Sequence, residues 1–565
     1  MTPFSSPGAA GTAAAGTAAD TAHAAQATET TETAQAPVSA DWLRFDPASA
    51  TPVPLFDSAA IRRLEQAAYA GLSPFTLMAR AGAAAAAWLS AHAPAGPLLL
   101  LAGPGNNGGD ALVAATHLHR AGREIQAWLL ADPARLPADA ARAWQQANDA
   151  GVPLQVLVPD AASPQTAPPW PATAPRFAAV VDGLLGIGLN RPASGALAEW
   201  IARLGALADQ GVPVFALDVP SGLSADTGAG APAVRATRTL TFIAAKPGLL
   251  TLDGRDCAGE LDIAPLGLGY PPQDTPAAWA NTPARFAAAL PGRRHATHKG
   301  SFGTLAVIGG SIGMVGAPLL GARAALHLGA GRVHIGFLAD PAPPFDPVHP
   351  ELMLHPVDRL QLAEMSALVA GPGMGTGEDA RQWLGVALQA GTPTVLDADA
   401  LNLLATDAAL AALAGAGTAP RVLTPHPLEA ARLMGCTVAE IQRDRLAAAR
   451  ALAAQWQAVV VLKGSGTVIA GPGKNAGEHA ATINPTGNAG LATAGTGDVL
   501  AGMIGALLAQ GMAAESAALA AVWLHGRAAD RLVAGGEGPA GLTAGELPRA
   551  ARYELNALVM PGARQ

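Results

Sequence analysis

The stretch Ala492–Gly502 reads ATAGTGDVLAG. Gly495 and Gly497 flank a threonine and precede Asp498, and an apolar pattern follows at helical spacing. Val499, Leu500, Met503, Ile504, Leu507 and Leu508 fall on one face, and Gly511 is a stop signal. A glycine loop that opens a helix offers unpaired backbone N–H groups to a phosphate. A carboxylate at the helix mouth is placed to take a proton from a hydroxyl. The stretch predicts a strand–loop–helix unit of an α/β fold, with the parts of a kinase.

The segments upstream have the same design. TLAVIGGS (304–311), ALVAGPGMG (367–375), TPTVLDADALN (392–402), RVLTPHPLEA (421–430) and AVVVLKGSGT (458–467) are apolar strands with polar or glycine-rich ends. A second series lies earlier, in PLLLLAGPG (97–105), FAAVVDGLLG (177–186) and VPVFALDVPSG (212–222). Strands that alternate with helices imply parallel sheets covered on both faces, with ligands bound beyond the strands' carboxyl ends. The Pro-rich stretch 269–294 separates the two series. The expected organisation is a low-complexity, disordered tail over 1–45, a first domain over 46–284 and a second over 285–565. In LFDSAAIRRLEQAAYAG (55–71), Asp57 or Ser58 is the expected N-cap of an amphipathic helix.

At 565 residues the chain is long enough for two domains, and only 14% of it is charged. The net charge of −8 argues against nucleic acid and anionic membranes as partners. No apolar run reaches membrane-spanning length, and the first 43 residues hold no lysine or arginine for a targeting signal. The expected location is cytoplasmic. Cys257 and Cys436 are far apart and define no disulfide or zinc framework. Lysine is scarce: Lys246, Lys299, Lys463 and Lys474 are the only four among 35 basic residues. A lysine that survives in arginine-rich composition marks a place for a compact point charge.

The run AGPGNNGGDALVA (102–114) lacks dinucleotide-fingerprint spacing and is unusually polar for a bare turn, with a helix expected from about Asp110. Asp182, and Asp218 with Ser221, stand at two further strand ends. Such oxygens either cap turns or enclose a hard cation. In the second half, Lys463 follows a strand and can reach a phosphate. His426 precedes Glu429 by three residues, which suits a structural histidine or a ligand contact equally.

Taken together, GPGNNGGD, VVDGLLGIGLNRP and DVPSG resemble the NAD(P)H-hydrate epimerase family, whose domain is Rossmann-like. HKGSFG, GGSIGMVGA, TPHPLE, KGSGT and GTGD, in that order, resemble the ribokinase-like ADP-dependent NAD(P)H-hydrate dehydratases. The resemblance covers roughly Leu55 to Leu558 and implies a bifunctional NAD(P)H-hydrate repair enzyme. By it, Asn106, Asn107, Gly108, Gly109, Asp110, Gly186, Ile187, Gly188, Leu189, Asn190, Arg191, Pro192 and Asp218 contact the hydrated nucleotide in the first domain. Asn107, Asp182 and Ser221 hold potassium. In the second domain Ala317, Gly373, His426 and Asp498 contact the hydrated nucleotide. Lys463, Gly464, Ser465, Gly466, Thr467 and Gly497 contact ADP, which acts with magnesium. Asp498 is the implied catalytic residue, and a homo-oligomer is expected. The rival reading is a vitamin-type small-molecule kinase with an accessory nucleotide-binding first domain. Ala111, Leu428 and Ala489 depart from the family pattern, and the role of Lys246 is open.

Overall fold

The computed structural model describes residues 41–158, 166–170, 176–189, 191–270, 275–473 and 481–560. Residues 1–40, for which disorder was expected, lie outside this set. Residues 41–45 do not belong to a disordered tail: Leu43–Arg44 is an antiparallel edge strand on Glu260–Ala264.

The first sheet has eight strands. From that edge the order is Leu43–Arg44, Glu260–Ala264, Arg238–Phe242, Val214–Leu217, Ala179–Gly183, Leu98–Ala102, Ile125–Leu129 and Leu154–Val156. All but the Leu43–Arg44 pairing are parallel. Leu98–Ala102 and Ala179–Gly183 are fully buried, as unbroken apolar runs predict for central parallel strands. Strand order reverses between them, which opens a crevice at their carboxyl ends.

The second sheet has eleven strands. Thr304–Gly309 and Ala367–Ala370 are neighbours, third and fourth from one edge, and the order again reverses between them. Thr394–Leu396, Arg421–Leu423 and Val459–Leu462 follow in parallel. The helix Thr496–Ala509 is buried on nearly every side, and Gly511 adopts a φ of +90° just past its end, as the stop signal predicts. The Rossmann-like and ribokinase-like α/β expectations hold for the two sheets.

The boundary expected between 284 and 285 does not separate the sheets. Ala278–Ala280 pairs in parallel with Ala481–Ile483, and Pro54–Leu55 pairs with Ala278–Ala280 at the outer edge of the second sheet. Leu55 also bridges to Ala245 of the first unit, and Phe56 N donates to Ala245 O at 3.0 Å. One apolar core runs through Leu55, Val219, Leu249, Leu250 and Leu261 into Leu423, Leu462 and Ile483. The Pro-rich stretch is therefore built into the second sheet. Asp57, not Ser58, caps the helix Ser58–Tyr69, accepting from Ala60 N at 2.7 Å.

Candidate active sites

The first site lies at the strand reversal of the first sheet. The helix after Leu98–Ala102 begins at Asn106 rather than near Asp110, so Asn106 to Gly109 form its first turn. Glycine is a poor helix former, which hides this start in the sequence. Packing accounts for the glycines: a Cβ at Gly108 would stand 2.1 Å from Gly103 O, and one at Gly109 2.5 Å from Met78 Cε. Gly105 provides no side-chain cap, and Gly109 N donates to Gly105 O at 3.3 Å, so the amides of Asn106 to Gly108 are the ones the helix leaves for a ligand. The methyl of Ala111 packs against Gly183, where a Cβ would be 2.6 Å away.

A cavity of 690 Å³ opens above these ends. Asn106, Asn107, Asp110, Gly186, Ile187, Gly188, Leu189, Arg191 and Asp218 line it. Gly108 and Gly109 are buried beneath it, and Pro192 is not among its walls. Asn190 lies outside the described residues. Asp218 sits at a φ of +63°, a strained setting for a residue with a Cβ. Its Oδ1 accepts from Lys246 Nζ at 2.5 Å, and its Oδ2 from Ile187 N at 3.4 Å. Lys246 has no exposed surface and also donates to Thr241 Oγ1 and Phe242 O. The open question about Lys246 is thereby answered structurally: it fixes Asp218.

Glu65, on the helix Ser58–Tyr69, reaches the same cavity. Burial, then the Asp218 charge, raises its pKa. Burial, then Asp218 and Glu65, holds the Asp110 carboxyl well above the usual range. The cavity thus sets Asp218, hydrogen-bonded to a buried lysine, near Asp110, whose protonated form burial favours: two carboxyls in different settings within one site. Glu65 escaped the sequence reading; its signal was an acid four residues after the buried Ile61, on the side of the helix that faces the fold.

Asn107, Asp182 and Ser221 converge on the Leu185 peptide. Asn107 Nδ2 donates to Leu185 O at 2.8 Å, and Leu185 N donates to Ser221 Oγ at 2.9 Å. Ser221 Oγ donates to Asp182 Oδ1 at 2.6 Å, and Ser221 N to Oδ2 at 2.8 Å. Asp182 is fully buried, and burial pushes its pKa up to about 6 against these hydrogen bonds. The buried Asn107 Oδ1 has no hydrogen-bond partner among the described residues. An orphaned amide oxygen beside a buried carboxylate, hydroxyl and carbonyl is a donor set that fits a monovalent hard cation.

The second site lies where Lys463–Thr467, just after the strand Val459–Leu462, meets the mouth of the helix Thr496–Ala509. A cavity of 570 Å³ is lined by all six residues expected to contact ADP: Lys463 to Thr467 and Gly497. Lys463 Nζ is 2.7 Å from Asp397 Oδ1, which also accepts from Thr424 Oγ1 at 2.7 Å. Burial lowers the Lys463 pKa, but Asp397 and Glu429 outweigh it and the net shift is upward, so the ammonium is charged. A Cβ on Gly497 would lie 3.3 Å from Lys463 Nζ, which crowds the ammonium; glycine keeps the helix mouth open to it. Asp498, next in that first turn, is pushed up to about 7 by burial, then by Asp397, against Lys463.

Ala317, Gly373, His426 and Asp498 are not in this cavity's walls. A Cβ on Gly373 would stand 3.2 Å from Ala317 Cβ, so these two adjoin. The helix Gly316–His327 crosses Thr496–Ala509 closely, with a Cβ on Gly321 falling 3.1 Å from Asp498 O. His426 is the N-cap of Pro427–Met434: its Nδ1 accepts from Leu428 N and Glu429 N, which puts the neutral ring's proton on Nε2. Burial, then Lys463, lowers the His426 pKa, and burial lifts Glu429 to about 7. His426 thus fills the structural role and stays beside the Lys463–Asp397 pair. Leu428 is 45% exposed. Asp397 was missed as a site residue, although it ends an apolar strand. Among the described residues no three His, Cys, Asp or Glu side chains form a metal cluster. No single described helix is long and apolar enough to cross a membrane.

A family model described as NAD(P)H-hydrate dehydratase matches residues 305–547, and one described as YjeF-related protein N-terminus matches 74–248. The chain is 39% identical over 490 residues to the bifunctional NAD(P)H-hydrate repair enzyme Nnr of Escherichia coli, covering 84% of this chain and 88% of the relative. It is 50% identical over 280 residues to the ADP-dependent (S)-NAD(P)H-hydrate dehydratase of Neisseria meningitidis serogroup B, covering 49% of this chain and 92% of that one. Among solved structures, the ADP/ATP-dependent NAD(P)H-hydrate dehydratase of Bacillus subtilis, co-crystallised with ATP and magnesium, is 34% identical. The match covers 48% of this chain and 95% of that one, with a TM-score of 0.41.

Proposed function

Because the chain belongs to the family of bifunctional NAD(P)H-hydrate repair enzymes, we propose the following division of work between its two cavities. The protein epimerises the R and S forms of hydrated NADH and NADPH and dehydrates the S form to NAD(P)H at the expense of ADP. The observation that carries the assignment of the second cavity is one helix mouth. Gly497 faces the Lys463 ammonium there, and Asp498 follows it.

The hydrated ring bears a hydroxyl on C6, beside the ring nitrogen, and hydroxide leaves poorly. Asp498 takes the hydroxyl proton as the oxygen attacks the terminal phosphorus of ADP; the bond to AMP breaks. Lys463 and the first-turn amides hold the charge of the migrating phosphoryl group. The ring nitrogen then expels phosphate with its bonding electron pair, and loss of a proton from C5 restores the dihydropyridine. The machinery is that of a kinase and the net reaction is a dehydration. Magnesium, when bound with the nucleotide, would neutralise phosphate charge.

In the first cavity Asp110 is the acid and Asp218, oriented by Lys246, is the base for inverting C6. The amides of Asn106 to Gly108 and the loop Gly186 to Leu189 hold the nucleotide phosphates. Asn107, Asp182 and Ser221 would hold a potassium ion, whose charge would tie three strand ends together and steady that grip.

Following the terminal phosphate of labelled ADP during turnover tests the reading. All label is expected in inorganic phosphate, with NAD(P)H formed in equal amount. A stable phosphorylated nucleotide would identify a kinase instead.

A further inference from the structure

The two units touch at the loop expected to hold ADP. Leu252 N donates to Ser465 O at 3.1 Å, and Ser465 Oγ donates back to Leu252 O at 2.8 Å. Thr251, fully buried, donates from Oγ1 to Ser465 O and Gly466 O at 3.2 and 3.1 Å. Gly466 adopts a φ of +60°, and a Cβ there would stand 2.1 Å from Leu250 O. The glycine-rich loop of the second unit is thus fixed by the first unit's chain.

One turn further on, Arg255, in the short helix Gly254–Cys257, forms part of the wall of the 570 Å³ cavity with Lys463 and Gly497. Its Nη2 reaches Gly487 O at 3.4 Å, a long bond. Asp530, whose charge acts on Arg255, is already engaged: it accepts from Gly487 N and Asn488 Nδ2, both at 3.0 Å. Burial lowers the Arg255 pKa, outweighing Asp530 and Asp256. A partly buried guanidinium in a cavity wall, with no ion pair among the described residues, is free to take an anion. The fork of a guanidinium suits phosphate oxygens.

We propose that the epimerase unit completes the adenine-nucleotide site of the dehydratase unit, with Arg255 contacting a phosphate of bound ADP and Thr251 positioning the loop Lys463–Thr467. This rests on the dehydratase reading of that cavity. The site thereby draws its walls from both units, so ADP affinity depends on how they are seated. Segment 246–255 starts at the lysine that holds Asp218 and ends in the ADP cavity, which joins the two sites through one short stretch of chain.

The test is calorimetric titration of the full chain with ADP and with adenosine. Arg255→Ala is expected to weaken ADP binding about 10-fold or more, to leave adenosine binding within about 2-fold, and to spare epimerisation. Thr251→Val is expected to weaken both ligands, with Thr251→Ser restoring them. Unchanged ADP affinity in Arg255→Ala, or an equal loss for adenosine, would overturn the phosphate contact. Failure of the unaltered chain to bind ADP would overturn the dehydratase reading itself, and this inference with it.

Discussion

Lys463 Nζ and Asp397 Oδ1 are 2.7 Å apart, and the aspartate side chain is only 2% exposed. The pair presets a charged ammonium at the end of one strand by means of a carboxylate at the end of another. Lys463→Met is expected to abolish dehydration. It also leaves Asp397 buried without its partner, at a cost of about 3–5 kcal/mol. Epimerisation should persist, and denaturant unfolding together with both assays checks this. Wild-type stability in the variant would show that the pair is not coupled to the fold.

Asp498 is expected to act as a base only when ionised. Its pKa of about 7 predicts a dehydration kcat/KM that climbs with pH through neutrality and levels off above it. The stability effect has the opposite sense. The folded-state pKa lies above the ordinary 3.8, so ionisation opposes folding, and the cost grows between about pH 4 and 7. Asp498→Asn should therefore lose dehydration by about 10² to 10⁴-fold, yet melt higher, by roughly 1–3 °C at pH 7 and less at pH 4. A flat pH–rate profile would refute the assignment.

Potassium is expected to raise the melting temperature or epimerase rate relative to a large inert cation. Asp182→Ala removes the one formal charge among Asn107, Asp182 and Ser221, and it should erase the difference between the two salts. A potassium response that survives in the variant would rule this site out.

Much of this was legible in the sequence, because parallel sheets put their chemistry at strand ends and the strands there are unbroken apolar runs. AGTGD, KGSGT and GPGNNGGD each stood directly after or before such a run. The edge strands Pro54–Leu55 and Ala278–Ala280 were not legible: two or three residues among prolines carry no periodicity, and their pairing is set by the second sheet's open edge. Glu65 and Arg255 were missed for a related reason. Each reaches its cavity from an element distant in sequence from the motif it faces, and only the fold brings them together.

The shared edge decides where the chain can be cut. A fragment that begins near residue 291 loses Ala278–Ala280, the buried Asn281 that bonds Asn484 and Leu519, and Phe286 packed on Trp523. It is expected to be less soluble and to melt lower than one that begins near residue 275. Equal melting temperatures would mean that the edge strand adds nothing to the second sheet.

The most direct test of the whole account is recovery of NADPH absorbance from a mixture of the two hydrated epimers. With ADP and magnesium the intact chain is expected to convert the entire mixture, and without ADP none of it. Asp218→Asn should stop at the S fraction, and Asp498→Asn should recover nothing while still interconverting the epimers. Recovery without ADP, or complete conversion by Asp218→Asn faster than the epimers interconvert unaided, would contradict it.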